Sequence, residues 1–283
     1  MQQVQWYPGH MFKTLKEIQK MVKMVDVTLV ILDARIPISS YNEDLIKKTD
    51  NKPQIILFNK SKLVESKHLD QFHQYYQKKG YITLNIDALT NYNLNKIEPL
   101  LKKALATKIT RDLSKGKQIT QIKTIVLGIP NCGKSTLINM LSKGKTCAVA
   151  NMPGFTKSIK LIRVSKEFIL YDTPGILWPK FNSEIGLNLA CCKAIKESIL
   201  PLYDIAVHLL GILVKKDYTI IEKRYKINVD KLEPHQLILV IGRSRNLITK
   251  NNEVDEQRTI ELILKEYRQG LLGGIILDEL PNT

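Results

Sequence analysis

Eight residues near the middle of the chain, Gly128-Ile129-Pro130-Asn131-Cys132-Gly133-Lys134-Ser135, carry the pattern G-x-x-x-x-G-K-S. The chemistry of that pattern is phosphate binding. A glycine-rich loop between a strand and a helix points backbone N–H groups at an anion, at the positive end of the helix dipole. Asn131, Cys132 and Gly133 are the nucleotide-contacting loop positions, with no side-chain chemistry assigned to Cys132. Lys134 is expected to reach the β and γ phosphates, the Ser135 hydroxyl to ligate magnesium, and Thr136 to reach the α-phosphate. Some forty residues after the loop stands Asp172-Thr173-Pro174-Gly175. Alone it would read as a turn. At that spacing Asp172 would hold magnesium through a water, and the Gly175 amide would sense the terminal phosphate. Between the two, Pro153-Gly154-Phe155-Thr156 offers Thr156 as a second magnesium ligand, although an ordinary Pro-Gly turn would use the same residues.

A base-reading element comes earlier in the chain. Asn59-Lys60-Ser61-Lys62 resembles the guanine-reading Asn-Lys-x-Asp element and follows the apolar run Ile55 to Phe58. In Ras-like chains the phosphate loop comes first and the base-reading loop last. The reversed order keeps one pocket only if the chain is circularly permuted. The fourth residue also departs from the pattern. An aspartate would accept from guanine N1–H and the exocyclic amine, whereas Lys62 only donates. Losing that contact removes about 1.5–3 kcal/mol of discrimination, by the strength of hydrogen bonds to charged groups. Asn59 can still brace the loops and Lys60 cover the base plane. Asp87-Ala88 is expected to line the base, the Ala88 amide reading guanine O6 and Asp87 or Glu65 substituting as acceptor. Xanthine nucleotides, with an oxygen in place of the amine, are the alternative ligand.

The elements that must position these residues follow from the hydrophobic pattern. Strands are expected over Val27 to Leu32, Gln54 to Phe58, Tyr81 to Asn85 and Lys123 to Leu127. Helices are expected over Met11 to Met24, Glu43 to Lys48, Leu69 to Lys79, Lys96 to Thr107 and Lys134 to Leu141. Ile159 to Val164 and Phe168 to Tyr171 read as an antiparallel hairpin that delivers the chain to Asp172. Beyond Glu184 the pattern is helical: Gly186–Glu197, Leu202–Val214, His235–Ile241 and Val254–Arg268, with a strand over Gly274 to Leu277. Alternating strands and helices imply parallel βαβ units. The expected fold is α/β, a circularly permuted Ras-like P-loop domain over residues 1–183 followed by a smaller all-α domain over 184–283.

Charge divides the chain the same way. Of 43 Lys+Arg and 27 Asp+Glu, residues 184–283 hold 14 of each, so residues 1–183 carry the whole excess of +16. An excess confined to one part points to a polyanionic partner, RNA in particular. The densest stretch, Lys102 to Lys123, would otherwise be a solvated linker. Cys132, Cys147, Cys191 and Cys192 form no C-x-x-C pair and no zinc spacing, as suits a reducing compartment. No run approaches the roughly 18 apolar residues of a membrane helix, and the first residues lack a secretion signal. A cytoplasmic monomer without membrane contact is expected. A P-loop kinase or ATPase would lack the Pro-Gly-x-Thr and Asp-x-x-Gly spacing around a hairpin.

Six pieces together resemble the circularly permuted GTPases of the RbgA/YlqF type: Trp6-Tyr7-Pro8-Gly9-His10-Met11, Asp33-Ala34-Arg35-Ile36-Pro37, Asn59-Lys60, the phosphate loop, Pro153-Gly154-Phe155-Thr156 and Asp172-Thr173-Pro174-Gly175. Tyr267-Arg268-Gln269-Gly270 and Leu272-Gly273 resemble the closing segment of that family. The resemblance implies hydrolysis of GTP to GDP, coupled to binding a late precursor of the large ribosomal subunit. The helical tail would dock on ribosomal RNA and protein. Ile176 stands where Ras-like enzymes place a water-orienting glutamine, and an isoleucine cannot align water. By the resemblance, His10 takes that role on an amino-terminal segment that the ribosome orders. Asn131 resembles the phosphate-loop asparagine of GTPases that recruit potassium, a cation beside the β–γ bridge that stabilises charge building there. The other reading is a nucleotide-gated RNA-binding module with incidental or no hydrolysis.

Overall fold

The computed structural model describes residues 3–5, 9–49, 51–118, 121–142, 149–151, 160–178, 180–196 and 199–281. After β1 (Gln3–Gln5) and α1 (Gly9–Val22), strand β2 (Val27–Asp33) leads to α2 (Glu43–Lys47), and β3 (Gln54–Asn59) to α3 (Ser66–Lys78). Then come β4 (Ile82–Asn85), helices α4 (Ile97–Ala104) and α5 (Ala106–Ser114), and β5 (Ile122–Gly128) with α6 (Lys134–Ser142). β6 (Val149–Asn151), β7 (Lys160–Arg163), β8 (Phe168–Asp172) and β9 (Lys180–Asn182) follow. The chain continues as α7 (Ser183–Cys191), α8 (Leu202–Asp217), α9 (Thr219–Tyr225), α10 (Pro234–Ser244) and α11 (Glu256–Arg268).

Seven strands make one mixed sheet in the order β4-β3-β2-β5-β8-β7-β6. β4, β3, β2, β5 and β8 run parallel, and β8-β7-β6 continue antiparallel. Every residue of β2 and β3 is buried. Their unbroken apolar runs fit strands covered on both faces. Register then decides function. Asp33 pairs with Asn59, Ile31 with Gly128, and Val126 with Asp172. Four loops therefore leave the carboxyl edge of the sheet within about a turn of one another, where open α/β sheets bind ligands.

The expected strands of residues 1–183 and the hairpin form, with shifted ends. The basic stretch, expected as a linker beyond a helix ending near Thr107, is helical to Ser114 after a break at Leu105. Part of its charge is spent within the chain: Lys102 lies 2.6 Å from Glu167, Lys108 2.6 Å from Asp26 and Lys117 3.1 Å from Asp112. Helix α9 and the β1–β9 pair are additions. Gly274 to Leu277, expected as a strand, joins no sheet. It makes two isolated backbone bonds, Glu65 N–H to the Gly274 carbonyl (3.2 Å) and Leu277 N–H to the Arg35 carbonyl (2.8 Å), and so straps the loops after β2 and β3.

Asp278 fastens the end of that strap. Its carboxylate accepts from the Ile38 and Ser39 backbone N–H groups (2.6 and 2.8 Å), the Ser39 hydroxyl and Asn188 Nδ2 (3.0 Å). Burial pushes its pKa up to about 6, against the pull of those donors. A folded-state value above the unfolded one favours the protonated form in the folded chain. The stabilising contribution is full below about pH 4 and lost as pH rises through about 6, a loss of about 3 kcal/mol at most. Thermal melts across this window should show wild type losing stability relative to Asp278→Asn as pH rises. Parallel curves would contradict the assignment.

Candidate nucleotide site

Two adjoining cavities open at the carboxyl edge of the sheet. The first, about 550 Å³, is lined by the phosphate loop and by Asp172 to Gly175. Lys134 Nζ lies inside the loop on the Gly128 and Ile129 carbonyls (3.0 and 2.7 Å). Ser135 and Thr136 present exposed side chains to the cavity from the first turn of α6. Thr173 Oγ1 donates to the Val126 carbonyl (2.6 Å), pinning the Asp172 loop to β5. Gly175 approaches the loop so closely that a Cβ would lie 2.6 Å from the Pro130 nitrogen. Burial lifts the Asp172 carboxyl above its ordinary value, with Lys134 and Lys160 opposing. A hydroxyl and a carboxylate lining one cavity are hard oxygen donors of the kind magnesium takes alongside substrate phosphates. Ser135 and Asp172 therefore fit that metal.

The second cavity, about 460 Å³, is built around Asn59. Asn59 Nδ2 donates to the Cys132 carbonyl (2.7 Å), and its Oδ1 accepts from the Ala88 N–H (2.9 Å). One amide thus joins the phosphate loop to the loop after β4. A Cβ at Gly133 would collide with Asn59 Nδ2, so that position needs glycine. Lys60, at φ +60°, donates to the Asn131 carbonyl (2.7 Å) and to Asp33 (2.8 Å), and its side chain lines both cavities. Lys62 Nζ sits over the Tyr92 ring, 3.9 Å from its centroid. Ser61 is buried beside the site without lining either cavity, and Cys132 is buried with its sulfur 3.8 Å from Lys134 Nζ. Glu65, considered as a substitute acceptor, pairs with Lys67 and lines neither cavity.

A family model described as a 50S ribosome-binding GTPase matches residues 123–243. Ribosome biogenesis GTPase A of Bacillus licheniformis is 38% identical over 280 residues, covering 98% of each chain. The Bacillus cereus protein of that name is 36% identical, covering 97% of this chain and 93% of its own. This chain belongs to the ribosome biogenesis GTPase A family. It is a GTPase. YlqF from T. maritima, solved with GNP bound, shares the fold with a TM-score of 0.62 at 20% identity, covering 93% of this chain and 96% of that one. No helix among the described residues is long and apolar enough to cross a membrane.

Three predicted residues have a more qualified placement in this GTPase. Thr156 lies outside the described residues, and so does the His10 side chain, although His10 falls in the first turn of α1. Asn131, at φ +57°, donates from Nδ2 to the Lys193 carbonyl of the helical region (2.6 Å). Ile176 is buried in an apolar cluster with Ile18, Met21 and Val22 of α1, its N–H on the Gly128 carbonyl (3.3 Å).

Sequence reasoning quoted Asp33 and Arg35 within the family resemblance but gave no role to the group that ties these parts together. Asp33 is 1% exposed and meets Arg35 at 2.7 Å and Lys60 at 2.8 Å. Burial pushes its carboxyl up, but the two cations outweigh it and hold the group well below the usual carboxylate range. Arg35 also lies over the Tyr267 ring and reaches the Arg268 carbonyl (3.5 Å). Arg268 caps the end of α7 through the Cys191 and Ala190 carbonyls (2.8 and 2.9 Å). Cys192, Lys193 and Arg268 consequently wall the second cavity from the helical side. The available signal was an acid ending a buried strand with an arginine two residues on.

Asn59→Ala would strand the Ala88 N–H and the Cys132 carbonyl, each at about 1–3 kcal/mol if left unpaired. A titration with fluorescent GDP should show affinity reduced by about tenfold or more, with a lower melting temperature. Unchanged affinity would mean the loops hold their spacing without Asn59.

Proposed function

We propose that this GTPase is a slow enzyme acting late in maturation of the large ribosomal subunit, with turnover stimulated by the precursor subunit. The observation that carries the reading is Ile176. At the position where Ras-like enzymes orient water, this chain buries an aliphatic side chain beneath the phosphate loop. Intrinsic turnover is slow because the water must be aligned from elsewhere. His10 is the residue for that task. It sits at the start of α1, the helix whose Ile18, Met21 and Val22 pack with Ile176. A partner that orders this segment would raise the rate without remaking the phosphate loop.

The chain's own groups then have separate tasks. The Lys134 amine exchanges its carbonyl partners for the β and γ phosphate oxygens. Ser135 and Thr156, and Asp172 through a water, would hold magnesium, which would neutralise charge on the transferring phosphoryl. His10 orients water toward the γ phosphorus; the water oxygen bonds to that phosphorus as its bond to the β–γ bridging oxygen breaks, the water's proton passes to the phosphate formed, and GDP and phosphate leave. Asn131 Nδ2 is engaged with Lys193, which leaves its amide oxygen as the atom a potassium ion would use. The basic surplus of residues 1–183 supports binding to ribosomal RNA. Residues 184–283 form the helical domain that docks on ribosomal RNA and protein. The protein works as a monomer in the cytoplasm.

The test is GTP turnover with and without purified large-subunit precursor, in wild type and His10→Ala. The variant should lose about hundredfold or more of the stimulated rate, the scale of a lost proton-handling or water-positioning group, while still binding GDP and the subunit. Stimulated turnover at the wild-type rate would remove His10 from the mechanism. Ile176→Gln should not create a catalytic glutamine. Placing an amide in that cluster should lower stability by about 1–3 kcal/mol without raising turnover, as read by urea denaturation and the same assay.

A further inference from the structure

The base cavity carries a departure that the family reading does not explain: the residue expected to accept from guanine is a lysine. Resting on the guanine-nucleotide reading above, we propose that Asp87 has taken over this task, so that base selection lies on the loop after β4 instead of the loop after β3.

Four observations converge. Lys62, which also lines this cavity, has its ammonium engaged over the Tyr92 ring. An ammonium on an aromatic face is an attractive arrangement in its own right, and a lysine in any position can only donate to a base. Asp87 is the one carboxylate among the described residues that line this cavity. Its two oxygens are in different states. Oδ1 accepts from the Leu89 N–H (3.1 Å), the Thr90 N–H (3.0 Å) and the Thr90 hydroxyl (3.1 Å), which fixes the side chain on its own turn. No hydrogen bond or ion pair among the described residues engages Oδ2. Nor does Oδ2 figure among the fully buried polar atoms left without a partner, so this oxygen keeps part of the little surface the residue exposes. The Ala88 amide, the other group expected to read the base from this loop, is already held by Asn59 Oδ1. The result is a rigid carboxylate with one free acceptor in the wall of the base cavity. Guanine offers two donors on one edge; adenine and xanthine do not offer that pair. Asp87 is thus a specificity-determining residue, distinct from the phosphate chemistry at Lys134 and Ser135.

The chemistry suggests a clean substitution. Asparagine at 87 keeps an Oδ1 that can hold the turn and replaces the free acceptor by a donor. Competition of GDP, XDP and ADP against a fluorescent GDP analogue, with magnesium present, reads the consequence. Wild type should prefer GDP to both competitors. In Asp87→Asn the GDP-to-XDP preference should fall by about tenfold to hundredfold, the range of a hydrogen bond to a charged group. Asp87→Ser, a shorter turn-capping side chain, should also lose preference for GDP over ADP, and thermal melts check that both variants fold. If wild type prefers GDP and both folded variants keep its ratios, the assignment to Asp87 fails while the GTPase reading stands. If Lys62→Ala loses the preference and Asp87→Asn does not, base reading belongs to residue 62. If wild type binds GDP and ADP alike, guanine selection itself is absent and the inference falls with it.

Discussion

A single buried carboxylate, Asp33, holds the nucleotide site to the rest of the molecule. It ends the central strand β2 at the level of Asn59, and it is shared by Arg35 and Lys60. Lys60 carries the link to the phosphate loop through the Asn131 carbonyl, while Arg35 carries it to the helical region through Tyr267 and Arg268. Two cations around one buried anion are a costly arrangement to desolvate and a damaging one to break, because removing the anion leaves buried positive charge uncompensated. The loop after β3, the phosphate loop and the carboxyl-terminal helices therefore share one buried anion, beside the ties made by Asn59 and by Asn131 with Lys193. That is a reason to have a helical region contribute Lys193 and Arg268 to a nucleotide cavity.

Strand β3, which leads to Asn59, and strand β5, which leads to the phosphate loop, flank β2 in space but are separated along the chain by α3, β4, α4 and α5. Their loops meet because the registers of β2 with both neighbours are fixed, and because Asn59 spans the remaining gap with two hydrogen bonds. Packing of Ile176 with α1 adds a third connection, between the loop after β8 and the helix that carries His10. The site is thus assembled from segments far apart in sequence, each fixed by one or two contacts.

What was legible in the sequence was local. The phosphate loop could be read because its backbone dictates glycine: Gly133 has no room for a Cβ beside Asn59. The strands could be read because double-sided burial leaves an unbroken apolar run. The hairpin gave itself away by spacing. Pairing across long separations could not be read. Nothing in the charge of Lys102 or Lys108 says that Glu167 and Asp26 will meet them, so the helix α5 looked like a basic linker. Nothing next to Lys62 says that Tyr92, thirty residues on, will take its ammonium. Asp33 and Arg35 were visible as residues, but their partner Lys60 and their reach to Arg268 depend on the assembled sheet. Gly274 to Leu277 has the composition of a strand, yet the site loops offer it a place to lie that no sheet edge does.

The most direct test of this account is Asp33→Asn, measured by urea denaturation and by GDP affinity on the same preparation. Asp33 lines neither cavity, so any effect on binding must pass through Lys60 and Arg35. The account predicts a stability loss of about 3–5 kcal/mol, the scale of a broken buried ion pair, accompanied by weakened GDP binding. A variant that unfolds at the wild-type urea concentration and binds GDP with wild-type affinity would contradict it.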